Sequence, residues 1–278
     1  MRRLLFNHAD AWIVTLVIVL MALLIHDSVS ASTLYLLVGI TAGYWLAFAA
    51  NDYYDAPFDA QEPVKAQRNF FVVHPVPKRA IVIVVGIMGV LLMPAFAQFG
   101  RMGYAIVAIS LFFMWAYSAD PLRLKNRPGL DLATHAIFVE TFPYIATLLL
   151  IGATWQKIDY IIIFCAILAS LTAQLEQQIR DYDIDARTGG TFTTRFGIRS
   201  SAHLLRGATI LLIVTVSYFI LDGTVPLIFL PVALIPLPAL LHRLVREPGQ
   251  PRSQRYVQIA VTMGAVYVAA LFIYIVIP

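Results

Sequence analysis

Apolar residues recur in nine stretches of about the length a helix needs to cross a bilayer, roughly 17 to 25 residues. They fall near residues 9–26, 33–51, 80–98, 103–118, 132–153, 158–176, 204–221, 224–241 and 257–277, with the first and fourth on the short side. The division between the seventh and eighth rests on the turn signal Asp222-Gly223 and on Pro226 as a first-turn proline. Without that break the count becomes even and the C-terminus changes sides. Polar residues gather mainly in two long connections, 52–79 and 177–203, while the alternate connections are very short. The pattern predicts an all-α, polytopic membrane helix bundle with about nine transmembrane helices, one membrane domain over residues 1–278. No soluble domain and no low-complexity segment interrupts it.

Composition agrees. Hydrophobic residues make up 60% of the chain and charged residues 13%, where an ordinary soluble domain carries about 25% charged residues. The mean hydropathy is +0.77. The single cysteine, Cys165, lies in an apolar run, which excludes an intrachain disulfide and any multi-cysteine metal site. No cleavable signal follows the first apolar run, so that helix is expected to remain. Nothing in the chain points to nucleic acid.

Charge orients the bundle. With a cytoplasmic N-terminus, only Arg101 and Lys157 of the 20 lysines and arginines fall outside, which obeys the positive-inside rule in every connection. The expected protein is therefore a multi-pass membrane protein whose N-terminus and two long polar connections face the cytoplasm. Each long connection follows an even-numbered helix, begins with acids and then supplies bases, a weak internal duplication.

The acids carry the candidate chemistry. They occur as Asn51-Asp52-Tyr53-Tyr54-Asp55-Ala56-Pro57-Phe58-Asp59 and as Asp181-Tyr182-Asp183-Ile184-Asp185. Residues four apart project from nearly the same helix face, so Asn51 and Asp55 suit one cation and Asp181 and Asp185 another. Unneutralised, such clusters repel themselves. Magnesium fits best, because it is a hard ion that takes one or two carboxylates and completes its octahedron with substrate phosphates and water. No EF-hand loop and no zinc-spaced histidine pair is present. Between the acidic groups, Tyr117-Ser118-Ala119-Asp120-Pro121-Leu122-Arg123-Leu124-Lys125-Asn126-Arg127-Pro128 supplies three cations in five residues. Together with Lys65 and Arg68 these complement a diphosphate, with magnesium on one side and Arg and Lys donors on the other.

The spacing Asn51-x-x-x-Asp55-x-x-x-Asp59 and Asp181-x-x-x-Asp185, with Tyr117 and Lys125 between and nine predicted helices, resembles the UbiA superfamily of intramembrane prenyltransferases over essentially the whole chain. The resemblance implies a helical bundle around a central cavity, two magnesium ions, and a prenyl diphosphate donor entering from the lipid bilayer. It implies that Asn51, Asp55 and Asp59 serve one metal site and Asp181 and Asp185 the other, with Arg68, Tyr117 and Lys125 on the diphosphate. Lys65 and Arg123 join them as basic neighbours. Asp52 and Asp183 fall off the ligand face, at supporting or solvated positions. The implied reaction transfers an isoprenoid group through an allylic carbocation to a hydrophobic acceptor, with Tyr53, Tyr54, Tyr117 and Tyr182 as ring candidates for cation stabilisation.

In motif style the chain is most similar to the lycopene elongase-like branch, through Tyr117 to Pro128 and Gln178 to Tyr182. Two features depart from the family. Pro57 sits between Asp55 and Asp59, where a helix loses a hydrogen bond, so Asp59 is expected past a kink or helix end. The first helix opens with Asn7-His8-Ala9-Asp10 in place of the family's Arg-Pro pair. The alternatives are a lipid-linked phosphoribosyltransferase, a UbiA-type terpene cyclase and, outside enzymes, a membrane transporter. Transport favours ionisable groups at mid-membrane, where Glu140, three residues before Pro143, is the main example. The proton acceptor is open among His8, His74, His135 and His203.

Overall fold

The computed structural model describes residues 9–250 and 253–276; Asn7 and His8 lie outside them. Nine apolar helices occur among the described residues: α1 (Ala9–Ile25), α2 (Ala31–Asp59), α3 (Lys78–Ala97), α4 (Gly100–Ser118), α5 (Leu130–Leu150), α6 (Lys157–Arg180), α7 (Ile198–Leu221), α8 (Leu227–Val245) and α9 (Gln254–Val276). There is no strand among them. All but the 17-residue α1 are long and apolar enough to cross a membrane. Large apolar side chains stay exposed along α3 (Val82, Ile83, Ile87, Val90) and α9 (Ile259, Met263, Val266, Ile273). Water would penalise such faces, whereas lipid solvates them and the helical backbone satisfies its own polar groups. The chain is an integral membrane protein.

The chain divides into two compact units, Met1–Leu124 with Ala146–Ala153, and Lys125–Ile145 with Thr154–Pro278. In the first, α2 is the central helix and packs on α1, α3 and α4. Its start is fixed by a capping box: the Ser30 hydroxyl accepts from the Thr33 N–H at 3.2 Å while Thr33 Oγ1 accepts from the Ser30 N–H at 2.9 Å. Small residues let the neighbours approach. A Cβ on Gly39 would stand 2.8 Å from the Ala95 Cβ, and one on Gly103 would stand 1.9 Å from the Phe96 carbonyl oxygen. Backbone cannot yield as a side chain can. Gly103→Ala is therefore expected to destabilise by about 1–3 kcal/mol, the usual cost of overpacking, read as a lowered Tm in detergent.

In the second unit α6 is central and packs on α7 and the first half of α5. Leu175 and Ile179 close against Leu132, Ala202 and Leu205, and Leu168 against Ala208 and Leu212. Within α5 the residues Ala136–Thr141 form a π-helical turn, with the Phe142 N–H donating to the Ile137 carbonyl and Thr141 Oγ1 to the Ala136 carbonyl at 2.8 Å. Pro143 follows at once; it lacks an N–H and crowds the carbonyl four residues back, and the wider turn lets the helix continue. The break between α7 and α8 is real: Asp222 ends α7 and Gly223 takes φ +72°, a left-handed conformation natural to glycine. Asp222 also accepts from Lys157 at 3.0 Å and from the Thr224 hydroxyl, and these partners hold its carboxyl below the ordinary range, Thr224 first.

Three helices end later than their apolar stretches predict. α2 continues through the acids to Asp59, α6 through Glu176 to Arg180, and α8 to Val245. Hydrophobicity marks the lipid-facing length, while Glu, Gln and Arg are good helix formers that extend the coil beyond it. The long polar connections are also partly helical, at Pro63–Arg68, Phe70–Val73, Tyr182–Thr188 and Phe192–Phe196.

Candidate active site

The first acidic group lies on the last turns of α2. The helix does not stop before Asp59, as Pro57 led us to expect; it runs through Pro57 and ends on Asp59. One lost backbone bond in a terminal turn is cheap. Asn51 Nδ2 donates to Asp55 Oδ2 at 3.1 Å, and the Ser118 hydroxyl, at the end of α4, donates to Asn51 Oδ1 at 2.9 Å. Arg123 brings Nη2 to 3.5 Å from Asp55 Oδ1, and its guanidinium lies 4.0 Å above the Phe58 ring. Its Nε is buried with no hydrogen-bond partner, and its backbone takes φ +37°, uncommon for a side chain of this size. Arg123 is thus held on the acidic helix by charge and ring together.

Asn69 supports the same helix end. Only 2% exposed, it donates from Nδ2 to Asp59 Oδ2 at 2.8 Å and to the Asp52 carbonyl at 2.7 Å, while its Oδ1 accepts from the Phe71 N–H at 2.9 Å. It ties the connection after α2 back onto the acids. Asp52 itself is 6% exposed, so of the two positions expected for it the solvated one is excluded. Tyr53 packs edge-on against Tyr54 and Phe71, at 5.6 and 5.5 Å between ring centroids.

The second acidic group stands at the end of α6. Asp181 ends that helix and starts Tyr182–Thr188, with φ −95° and ψ 9° marking the joint. The Asp185 N–H still donates to the Asp181 carbonyl at 2.9 Å, so the four-residue spacing survives the joint. Arg180 grips Asp181 with both arms of its fork, Nε to Oδ1 at 2.9 Å and Nη2 to Oδ2 at 3.3 Å. Asp181 is 8% exposed, Asp185 is half-buried and Asp183 is exposed.

Residues 11–275 match the model of the UbiA prenyltransferase family. The chain belongs to that family. Its fold is similar to a UbiA homolog from Archaeoglobus fulgidus bound to DMAPP and Mg2+, with a TM-score of 0.75 at 17% identity over 99% of each chain. The same homolog bound to GPP and Mg2+ gives 0.74 at 16% identity over 96% of each. A UbiA homolog from Aeropyrum pernix K1 in its apo form gives 0.70 at 13% identity, over 96% of this chain and 99% of that one. No curated protein matches the sequence.

In this UbiA-family chain the remaining candidates lie on several different elements. Tyr117 is half-buried in the last turn of α4, and Lys125 is half-buried in the short turn Leu124–Asn126. Lys65 and Arg68 sit on the helix Pro63–Arg68, where Lys65 is half-buried and Arg68 exposed. His135 is bonded to Ser170 at 3.0 Å, His74 packs on Phe70 at 4.9 Å between centroids, and His203 is exposed. Sequence reasoning passed over Ser118, Asn69 and Arg180 as partners of the acids. Ser118 and Arg180 were visible as motif neighbours, and Asn69 as a helix cap before Phe70.

The donor sets suit magnesium. Among the described residues no three His, Cys, Asp or Glu side chains gather into a protein-only cage, and magnesium needs none, since one or two carboxylates suffice when phosphates supply the rest. Asp55 with Asn51, and Asp181 with Asp185, offer hard oxygen donors of that kind. Glu140 belongs to neither acidic motif and lies in the π-helical turn of α5. Glu140→Gln is expected to preserve most turnover; loss of turnover with diphosphate binding intact would instead make Glu140 the leading candidate for the proton acceptor.

Proposed function

We propose that this protein is a magnesium-dependent prenyltransferase that moves an isoprenoid group from a prenyl diphosphate to a hydrophobic acceptor. The observation that carries the reading is that each acidic group already has an arginine on it, Arg123 at Asp55 and Arg180 at Asp181. Alternating acid and guanidinium is the chemistry a metal-bound diphosphate requires. The ligands of the structural relatives, DMAPP or GPP with Mg2+, point to the same substrate class.

In this reading Asn51, Asp55 and Asp59 serve one magnesium and Asp181 and Asp185 a second. Bound magnesium supplies charge neutralisation that makes diphosphate a better leaving group. Lys125, Arg123, Lys65 and Arg68 take up the remaining negative charge, and the Tyr117 hydroxyl orients a phosphate oxygen. The allylic carbon–oxygen bond breaks with its electron pair going to diphosphate, the acceptor's electrons form the new bond to carbon, and a proton is lost from the acceptor. Cationic side chains beside the departing oxygens would lower the barrier. Within the family, Tyr117 to Pro128 and Gln178 to Tyr182 favour the lycopene elongase-like branch.

The test is incubation of purified protein with magnesium, a lipid extract and labelled dimethylallyl, geranyl, farnesyl or geranylgeranyl diphosphate. Magnesium-dependent release of diphosphate with label in a lipid product is expected. Release without an acceptor product would mean cyclisation, and transfer only from a sugar diphosphate would replace this reading with a phosphoribosyltransferase. The basic bias also predicts orientation. Reporter fusions should put the N-terminus and both acidic ends in the cytoplasm and the C-terminus outside; a cytoplasmic C-terminus would mean that the proline-broken α8 does not cross.

A further inference from the structure

We infer that Asp131 and Gln178 are positioning residues for the second acidic group, holding it and the Lys125 turn in place through a buried hydrogen-bond network. The inference rests on the function proposed above. All the residues concerned belong to the second unit.

Asp131, in the first turn of α5, is fully buried. Its Oδ2 accepts from Gln178 Nε2 at 2.7 Å and from the Phe192 N–H at 2.6 Å. Gln178 is 2% exposed and lies on α6, three residues before Asp181. Its Oε1 accepts from the Thr193 N–H at 3.1 Å and from the Thr193 hydroxyl at 3.0 Å. The Thr194 N–H goes to Thr191 Oγ1 at 3.3 Å. The first backbone donors of the helix Phe192–Phe196, which helical geometry leaves without internal partners, all end on side chains.

The consequence is a chain segment fixed at both ends. It leaves α6 at Asp181, carries Asp185 on the helix Tyr182–Thr188, and is anchored at Phe192 and Thr193 by Asp131 and Gln178. Its middle packs on the turn that bears Lys125: a Cβ on Gly189 would stand 2.8 Å from Asn126 Nδ2, and one on Gly190 would stand 3.5 Å from the Asn126 carbonyl. Burying an acid and an amide is costly unless their bonds are made, and the four bonds to Asp131 Oδ2 and Gln178 Oε1 select one arrangement. Asp131 Oδ1 is buried with no hydrogen-bond partner, so the network uses a single carboxyl oxygen. An asparagine keeps that oxygen; an alanine leaves the Gln178 and Phe192 donors without an acceptor.

The experiment compares the full chain with Asp131→Ala, Asp131→Asn, Gln178→Ala and the double alanine variant. Two readouts are taken: magnesium dependence of transfer from labelled geranyl diphosphate, and amide hydrogen exchange over residues 182–196. In Asp131→Ala, turnover falls about tenfold or more from misplacement and half-maximal activity needs more magnesium, while exchange accelerates by on the order of tenfold as the anchor is lost. Asp131→Asn stays within about twofold on both readouts, because the bonds that matter remain. The double variant is no worse than the poorer single one, as expected of residues in one network. Should Asp131→Ala fail to fold, Gln178→Ala and the milder Thr193→Val carry the same directions. Unchanged exchange and magnesium dependence in the alanine variants overturns the positioning role, and so does an asparagine variant as impaired as alanine. Absence of magnesium-dependent transfer in the unmodified protein overturns the functional reading instead.

Discussion

Asp55→Asn and Asp181→Asn are each expected to lower turnover by about a hundredfold or more, the scale seen when a main electrostatic stabiliser of a transition state is removed. The substitution keeps size and removes the charge. At Asp181 it also leaves the Arg180 fork without its carboxylate, and at Asp55 it frees Arg123 from its acid while the Phe58 ring still holds it. Asp183 is the control: ideal helical phase turns it about 200° from Asp181, and it is exposed where Asp181 is buried. Asp183→Asn should lose much less at saturating magnesium. Equal losses at Asp181 and Asp183, or magnesium-independent turnover in the unmodified protein, would overturn the assignment of the metal ligands.

Glu176→Leu is expected to destabilise the protein by about 3–5 kcal/mol, the cost of stripping one partner from a buried ion pair. Glu176, 7% exposed at its side chain, holds two arginines from the end of α8: Arg243 Nη2 at 2.7 Å from Oε2 and Arg246 Nη2 at 2.6 Å from Oε1. Arg243 also donates to Thr172 Oγ1 at 3.0 Å, and Arg206 to the Arg246 carbonyl at 2.5 Å. Removing the one acid leaves the buried Arg246 guanidinium and the half-buried Arg243 guanidinium without their carboxylate. Adding Arg243→Met and Arg246→Leu to Glu176→Leu should recover most of the loss, since apolar replacements of similar volume are tolerated where a lone charge is not. Thermal unfolding in detergent reads both outcomes, and a Glu176→Leu variant with an unchanged Tm would show that this ion cluster does not hold α8.

The long apolar runs made the number and order of helices legible, because lipid imposes a length that composition reveals directly. The ends of the helices were not legible from that signal. Asp55 and Arg180 look like connection residues on a hydropathy plot, yet each belongs to a helix that continues beyond its apolar length. Arg243 lies past the apolar stretch 224–241, yet it is a half-buried residue of α8. At the site, the acids and the basic segment could be found because charge clusters in so apolar a chain stand out. Which arginine meets which acid could not. Arg123 reaches Asp55 through a backbone turn with positive φ, a choice of tertiary packing that no local rule encodes. Asp131 was equally hidden, and so were the partners of Gln178, since a single acid and a single amide do not show what they bond until folding brings Phe192 and Thr193 to them.

The π-helical turn in α5 affects how this chain should be compared with its relatives. A π turn spends one residue more than an α turn, so everything after Thr141 is rotated by about 100° from where a regular helix would put it. A helical wheel drawn through Leu130–Leu150 therefore mixes two faces, grouping side chains before His135 with partners they do not share after Phe142. Aligning α5 with a relative that lacks the turn needs a one-residue gap near Glu140. Without it, every position on one side of the gap would be matched to the wrong neighbour, although both sequences would look equally apolar.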